Sequence, residues 1–124
     1  QHGCFALGAD LATPPGTAHE DKVQQIGDVD VTELEAAIDA IDSGNKPLKV
    51  FILPGGCELA ARLHIARSEA RRCERAMVTL ASDEANGVSE AAMRWINRCS
   101  DLLFAMARMA NRAAGVPDTP WRES

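Results

Sequence analysis

Two long stretches of this chain repeat apolar residues at alternating intervals of four and three, the period of a helix packed along a seam. In the first, from Cys57 or Glu58 to about Ala81, the line is Leu59, Leu63, Ala66, Ala70, Cys73, Met77 and Leu80. In the second, from about Ser89 to Ala114, it is Ala92, Ile96, Cys99, Leu103, Met106 and Ala110. Ser82 to Val88 reads as the turn between them, and Gly115 and Pro117 end the second helix. Two such helices joined by a short turn predict an antiparallel pair.

A further helix is expected from about Val31 to Ser43, with Val31, Leu34, Ile38 and Ile41 as its buried stripe. Asp30 is placed to cap it, Glu33 to act as the capping-box partner, and Gly44 to end it. Residues 2–12, with Phe5, Leu7, Ala9 and Leu11, read as the last turns of a helix begun upstream and stopped by Pro14 and Pro15. Residues 13–30 are rich in Pro, Gly, Thr and Asp and read as a surface loop. Val50-Phe51-Ile52-Leu53, closed by Pro54-Gly55-Gly56, is too short for a helix and predicts an extended segment or a tight elbow. The expected fold is therefore all-α: an antiparallel helical bundle in one domain covering 1–124, its first helix missing or cut short. Composition agrees, since aromatics are 4% with no tyrosine and small aliphatic residues dominate, which favours closely packed helices over a β-sandwich.

The net charge of −5 argues against a non-specific nucleic-acid binder, which needs a basic surface. Five arginines nevertheless fall between Arg62 and Arg75, a local patch better suited to a small anion than to a polyanion. Cys4, Cys57, Cys73 and Cys99 form no CxxC pair, which points away from a zinc site or a thioredoxin-like motif and toward free buried thiols in a reducing cytosol. With no signal-peptide pattern and no apolar run long enough to span a bilayer, a cytoplasmic location and no membrane partner are expected. The chain opens on Gln1, which admits a processed or cut start.

Both long helices have a second, polar face. Arg67, Arg71, Glu74 and Arg75 share one side of the first; Asn97, Asp101, Phe104 and Arg108 share one side of the second. One reading is a solvated charged face with ion pairs one turn apart. The other is an anion site, because arginines one turn apart can clamp phosphate oxygens while a Glu and an Asn hold a metal, a ribose or a base edge. Spacing alone leaves both open. Taken singly, His64 reads as a packed residue beside the seam, His2 and His19 as surface residues, Cys57 as structural and Phe51 as core. The Gly55-Gly56 pair reads as a turn that matches neither GxGxxG nor a P-loop.

Three strings, taken together, shift these readings. Phe51-Ile-Leu-Pro-Gly-Gly-Cys-Glu-Leu-Ala-Ala-Arg-Leu-His64, then Ala66-Arg67 through Arg71-Arg72-Cys73-Glu74-Arg75, then Ile96-Asn97-Arg98-Cys99-Ser100-Asp101-Leu102-Leu103-Phe104 resemble, in order and spacing, the PduO-type ATP:cob(I)alamin adenosyltransferases. That family's forms are FILPGG…LH.AR, RRAER and LNRLSDLLF. Leu7 to Pro14 resembles the end of its second helix, and Gly115-Val116-Pro117 with Trp121 resembles its tail. The resemblance implies a five-helix bundle, a homotrimer with sites between subunits, ATP and Mg2+ as cofactors, and cobalamin as substrate. It implies that cob(I)alamin attacks the 5′ carbon of ATP, forming adenosylcobalamin and expelling triphosphate.

The same resemblance assigns roles. Arg71 would contact the triphosphate, with Glu74 and Asn97 as partners around ATP and magnesium, Glu74 being the metal ligand. Arg67 would pair with an acidic group from the adjacent subunit, and Arg72 and Asp101 would support the network. Phe51 would lie beneath the corrin and displace the lower axial base, with Phe104 on the same apolar side. A reductase or a B12-dependent mutase would be the protein partner. The family's TRTGD…GTT segment, which wraps the ATP phosphates, is not in this sequence, and 1–124 match the later part of the family domain. Glu69, Cys73 and Cys99 stand where the family has apolar residues. A non-catalytic cobalamin-binding module is the alternative, and a ligand-free structural bundle a further one.

Overall fold

The computed structural model describes residues 1–17 and 20–123, so the expectation for His19 lies outside the described residues. Among these residues it forms four α-helices: α1 (His2–Leu11), α2 (Asp28–Asp42), α3 (Glu58–Ala81) and α4 (Glu90–Ala113). The long pair starts where capping chemistry allows. Cys57 Sγ accepts the Ala60 N–H at 3.5 Å, and Ser89 Oγ accepts the Ala92 N–H at 3.0 Å, each satisfying a donor that the first turn leaves free. Beyond α4, Gly115 takes φ +70° while the Val116 N–H reaches back to the Asn111 carbonyl at 2.8 Å, closing the helix.

α4 is the centre of the bundle, packed against both α2 and α3. α3 and α4 run antiparallel, in register from Met77 near Ala92 at one end to Ala60 near Ala107 and Ala110 at the other. The first end is a bulky core of Leu7, Ile26, Val31, Ala70, Met77, Ala92, Trp95, Ile96 and Cys99. The second is built of alanines, with Ala60 and Ala107 fully covered and Leu63 and Cys57 against them, so the helix backbones approach closely.

Four expectations need correction. α2 begins at Asp28 rather than near Val31; Gly27 is its cap, and Asp30 sits in the first turn with its carboxylate accepting the Gly27 N–H at 2.8 Å. Within residues 13–30, Glu20–Lys22 forms a short 3-10 turn. The α3 seam is rotated from the expected line: Leu59, Ala66 and Cys73 are exposed, while Ala60, His64, Ala70 and Met77 are buried. A seven-residue repeat fits a 3.6-residue helix only approximately, and the buried line drifts to the flank that α4 covers. Lastly, of the four free cysteines only Cys99 is buried; burial, with Cys4 nearby, pushes its thiol up to about 11. Among the described residues, no helix is long and apolar enough to cross a membrane.

The Val50–Leu53 segment is extended, as expected, and its partner is the C-terminal tail. Ile52 bridges Pro120 in antiparallel fashion, the Leu53 N–H donates to the Thr119 carbonyl at 2.8 Å, and the Trp121 N–H donates to the Phe51 carbonyl at 2.7 Å.

Candidate functional site

Two buried polar residues of α4 position the loop that carries Phe51. Asn111 is 3% exposed; its Oδ1 accepts the Cys57 N–H at 2.8 Å and its Nδ2 donates to the Gly55 carbonyl at 2.9 Å. The second glycine of the pair is required here. Gly56 has φ +114°, and a Cβ on it would collide with the Asn111 amide. Arg108 is also buried. Its Nε donates to Asp118 Oδ2 at 3.0 Å and its Nη2 to the Lys46 carbonyl, so one side chain ties the tail and the start of the loop to α4. Arg108, read from spacing as part of the polar face, is thus an internal pin.

With loop and tail held in place, Phe51 and Trp121 stand side by side at the surface, 82% and 50% exposed. Leu48, Lys49, Val50, Phe51, Ile52 and Trp121 join Arg67 and Phe104 around a cavity of about 890 Å³. That is within the size range of small-molecule sites, and its lining is mostly apolar. Phe104 is reached from α3 by two residues one turn apart. The His64 ring lies edge-on to it, centroids 6.1 Å apart at 67°, and the Arg67 guanidinium carbon stands 5.8 Å from its centroid. His64 is buried, and its pKa is lowered first by that burial and then by Arg67, with Asp118 opposing.

One turn along α3 from Arg67, a polar line begins. Arg71 Nη1 donates to Glu74 Oε2 at 2.8 Å, and Asn97 Nδ2 donates to Glu74 Oε1 at 3.1 Å. Arg98 Nη1 donates to Asn97 Oδ1 at 2.9 Å and pairs with Asp101 at 3.4 Å. The two faces foreseen from spacing do meet: Arg71, Glu74 and Asn97 form one bonded group, and Asp101 joins it through Arg98. Arg67, Phe51 and Phe104 gather separately around the cavity. Arg72 joins neither, because its guanidinium makes both its hydrogen bonds, at 3.0 and 2.7 Å, to Glu69 on the exposed side of α3. Glu74 has both carboxylate oxygens engaged by Arg71 and Asn97, and the described residues contain no cluster of three His, Cys, Asp or Glu able to hold a metal.

Sequence reasoning missed Asn111 as an organiser of the loop, and it placed Trp121 only as part of a tail. A polar side chain on the inner stripe of α4 was the available signal for Asn111. Nothing local signals that Trp121 comes to lie beside Phe51.

The profile of a family described as cobalamin adenosyltransferase matches residues 1–110. A corrinoid adenosyltransferase from Bacillus subtilis is 40% identical over 124 residues, covering all of this chain and 61% of the relative. The corrinoid adenosyltransferase PduO of Salmonella typhimurium is 46% identical over 108 residues, covering 87% of this chain and 31% of the relative. Among solved structures, a variant PduO-type ATP:corrinoid adenosyltransferase from Lactobacillus reuteri, complexed with cobalamin and ATP, superposes with a TM-score of 0.84 at 37% identity. That match covers 96% of this chain and 64% of the other. The chain thus spans less than two thirds of the length of these relatives.

Proposed function

This chain belongs to the cobalamin adenosyltransferase family, and we propose that the protein containing it is an ATP:corrinoid adenosyltransferase. It moves the 5′-deoxyadenosyl group of ATP onto the cobalt of cob(I)alamin and releases triphosphate. One observation carries the reading: an apolar cavity fronted by Phe51, Phe104 and Trp121 adjoins, through Arg67, the bonded group Arg71–Glu74–Asn97 on the same helix pair. A flat, apolar corrin and a triphosphate need these two surfaces next to each other.

Cob(I)alamin supplies the electron pair for the new cobalt–carbon bond, and the carbon–oxygen bond to the triphosphate breaks. Negative charge grows on the leaving oxygen, and Arg71 neutralises it. Glu74 holds Arg71 from one side, and Asn97 holds Glu74 from α4, so the guanidinium is aimed before the ligand arrives. Phe51 would lie against the bound corrin, with Phe104 and Trp121 completing that apolar side and keeping water from it. Arg67 pairs with an acidic group of a neighbouring subunit. Asp101 acts through Arg98, and Arg72 is an outer support through Glu69. Arg71 and Asn97 each donate one hydrogen bond to a Glu74 carboxylate that has about four lone-pair sites, so Glu74 would still be able to touch a magnesium ion brought in on the nucleotide phosphates.

The proposal extends to a cytoplasmic homotrimer with sites between subunits, served by a reductase or handing its product to a B12-dependent mutase. The test is a single-turnover assay on the complete protein with ATP, magnesium and chemically reduced cobalamin, following the spectral change from cob(I)alamin to adenosylcobalamin. Conversion is expected. Tight cobalamin binding without conversion would replace the enzyme by a non-catalytic cobalamin-binding module.

A further inference from the structure

Three nitrogens within one turn of α3 have no hydrogen-bond partner among the described residues: Nδ1 and Nε2 of His64, and Nε of Arg67. His64 is 3% exposed. A neutral imidazole carries one N–H and one lone pair, and burying both unpaired is unfavourable. What the described residues give the ring is a contact with Phe104, and what an imidazole adds to such a contact over an apolar ring is a proton that can come and go.

His64 is not among the residues lining the cavity. It reaches the cavity through Phe104, by the edge-on contact at 6.1 Å, while Arg67 approaches the same ring at 5.8 Å. One wall of the cavity is thus held from α3 by a permanent cation and by a titratable ring. The charged groups around that ring are Arg67 on its own helix and Asp118 from the tail, the latter already bound to Arg108 of α4. Burial and Arg67 both disfavour the imidazolium, and Asp118 only partly offsets them. At neutral pH the ring is uncharged. In acid, a proton on it creates a second cation beside Arg67 in a desolvated site and draws the ring toward Asp118.

We propose that His64 is a positioning residue for the corrinoid side of the site: the neutral ring holds Phe104 edge-on in the cavity wall, and protonation releases Phe104 and weakens corrinoid binding while nucleotide binding is unchanged. This rests on the reading of the cavity as the corrinoid site. A ligand that binds only the neutral form loses up to about tenfold in affinity for each pH unit below the imidazole pKa.

The experiment measures dissociation constants of the complete protein for cobalamin and, separately, for ATP, from about pH 8 down to about pH 4.5, a window carried well below the ordinary histidine pKa because burial and Arg67 lower that of His64. Cobalamin binding is expected to weaken on the acid side and ATP binding to stay level. His64→Phe keeps a ring against Phe104 without a titrating group, so it should bind cobalamin with no acid limb. His64→Ala should weaken cobalamin binding at every pH. An acid limb that survives in His64→Phe, or His64→Ala binding like the unsubstituted protein, would overturn the proposal. A second measurement needs neither a variant nor a ligand: NMR of the unsubstituted protein, in which the Phe104 ring resonances should shift with the same midpoint as the His64 imidazole. If cobalamin binds at no pH, the functional reading falls, and the spectra still decide the coupling. Phe104 resonances indifferent to the His64 titration would sink it.

Discussion

The two ends of the α3–α4 pair differ in what holds them together and in what they leave open. At the Met77–Trp95 end the core is bulky, and beside it Arg71, Glu74, Asn97 and Arg98 are already bonded to one another. At the Ala60–Ala107 end the helices meet through alanines, and beside them Phe51, Val50 and Trp121 stand exposed while the Arg67 Nε has no hydrogen-bond partner among the described residues. The first end is organised before any ligand comes, which is what charge stabilisation in a reaction requires. The second holds apolar surface in reserve, which gains free energy only when something covers it.

The strongest way to break this contrast is Arg71→Ala in the complete protein. Losing a pre-aimed donor at the leaving group should lower kcat by about 10² to 10³. The thermal midpoint should hardly move, because Arg71 is half exposed and its pair with Glu74 contributes at most about 1 kcal/mol. A kcat loss below about tenfold would place the reaction elsewhere. Next comes Asn111→Ala, expected to destabilise by about 2–4 kcal/mol in urea unfolding, since the Cys57 N–H and the Gly55 carbonyl both lose their partner. Unchanged stability would mean the loop is held by the tail alone. Phe51→Ala separates binding from folding. At 82% exposure its loss should cost no more than about 0.5 kcal/mol of stability, yet it should weaken cobalamin binding roughly tenfold or more. ATP binding should be untouched, and a matching loss there would erase the distinction between the two ends. The smallest effect is expected for Glu58→Ala, which removes an exposed ion pair with Arg62; denaturation should shift by less than about 0.5 kcal/mol.

The helices that carry the site were legible because their signals are local. Cys57 and Ser89 cap, glycines close, and apolar spacing fixes the long axes, so each polar face could be named in advance while their meeting could not. The start of α2 was misjudged because Asp30 suits either a cap or a first-turn carboxylate, and the choice fell to Gly27, which carries no side-chain signal. The rotation of the α3 seam depends on which flank α4 covers, a tertiary fact. Cys73 looks like a core residue by spacing and is exposed for that reason. The cavity was legible only in part: Phe51 and Phe104 were named through resemblance, while the contact of His64 and Arg67 with one ring, and the arrival of Trp121, come from packing between distant segments.

The short antiparallel bridge between Ile52 and Pro120 makes one working part out of two stretches of sequence. The loop hangs from Asn111 at one end and from the tail at the other, so the backbone that carries Phe51 cannot shift without the backbone that carries Trp121 registering it. A chimera that imports the Pro54-Gly55-Gly56 turn from a relative and keeps this tail would join two halves never fitted to each other. The natural unit of exchange is the loop together with the last residues, carried with the α4 asparagine that suspends them.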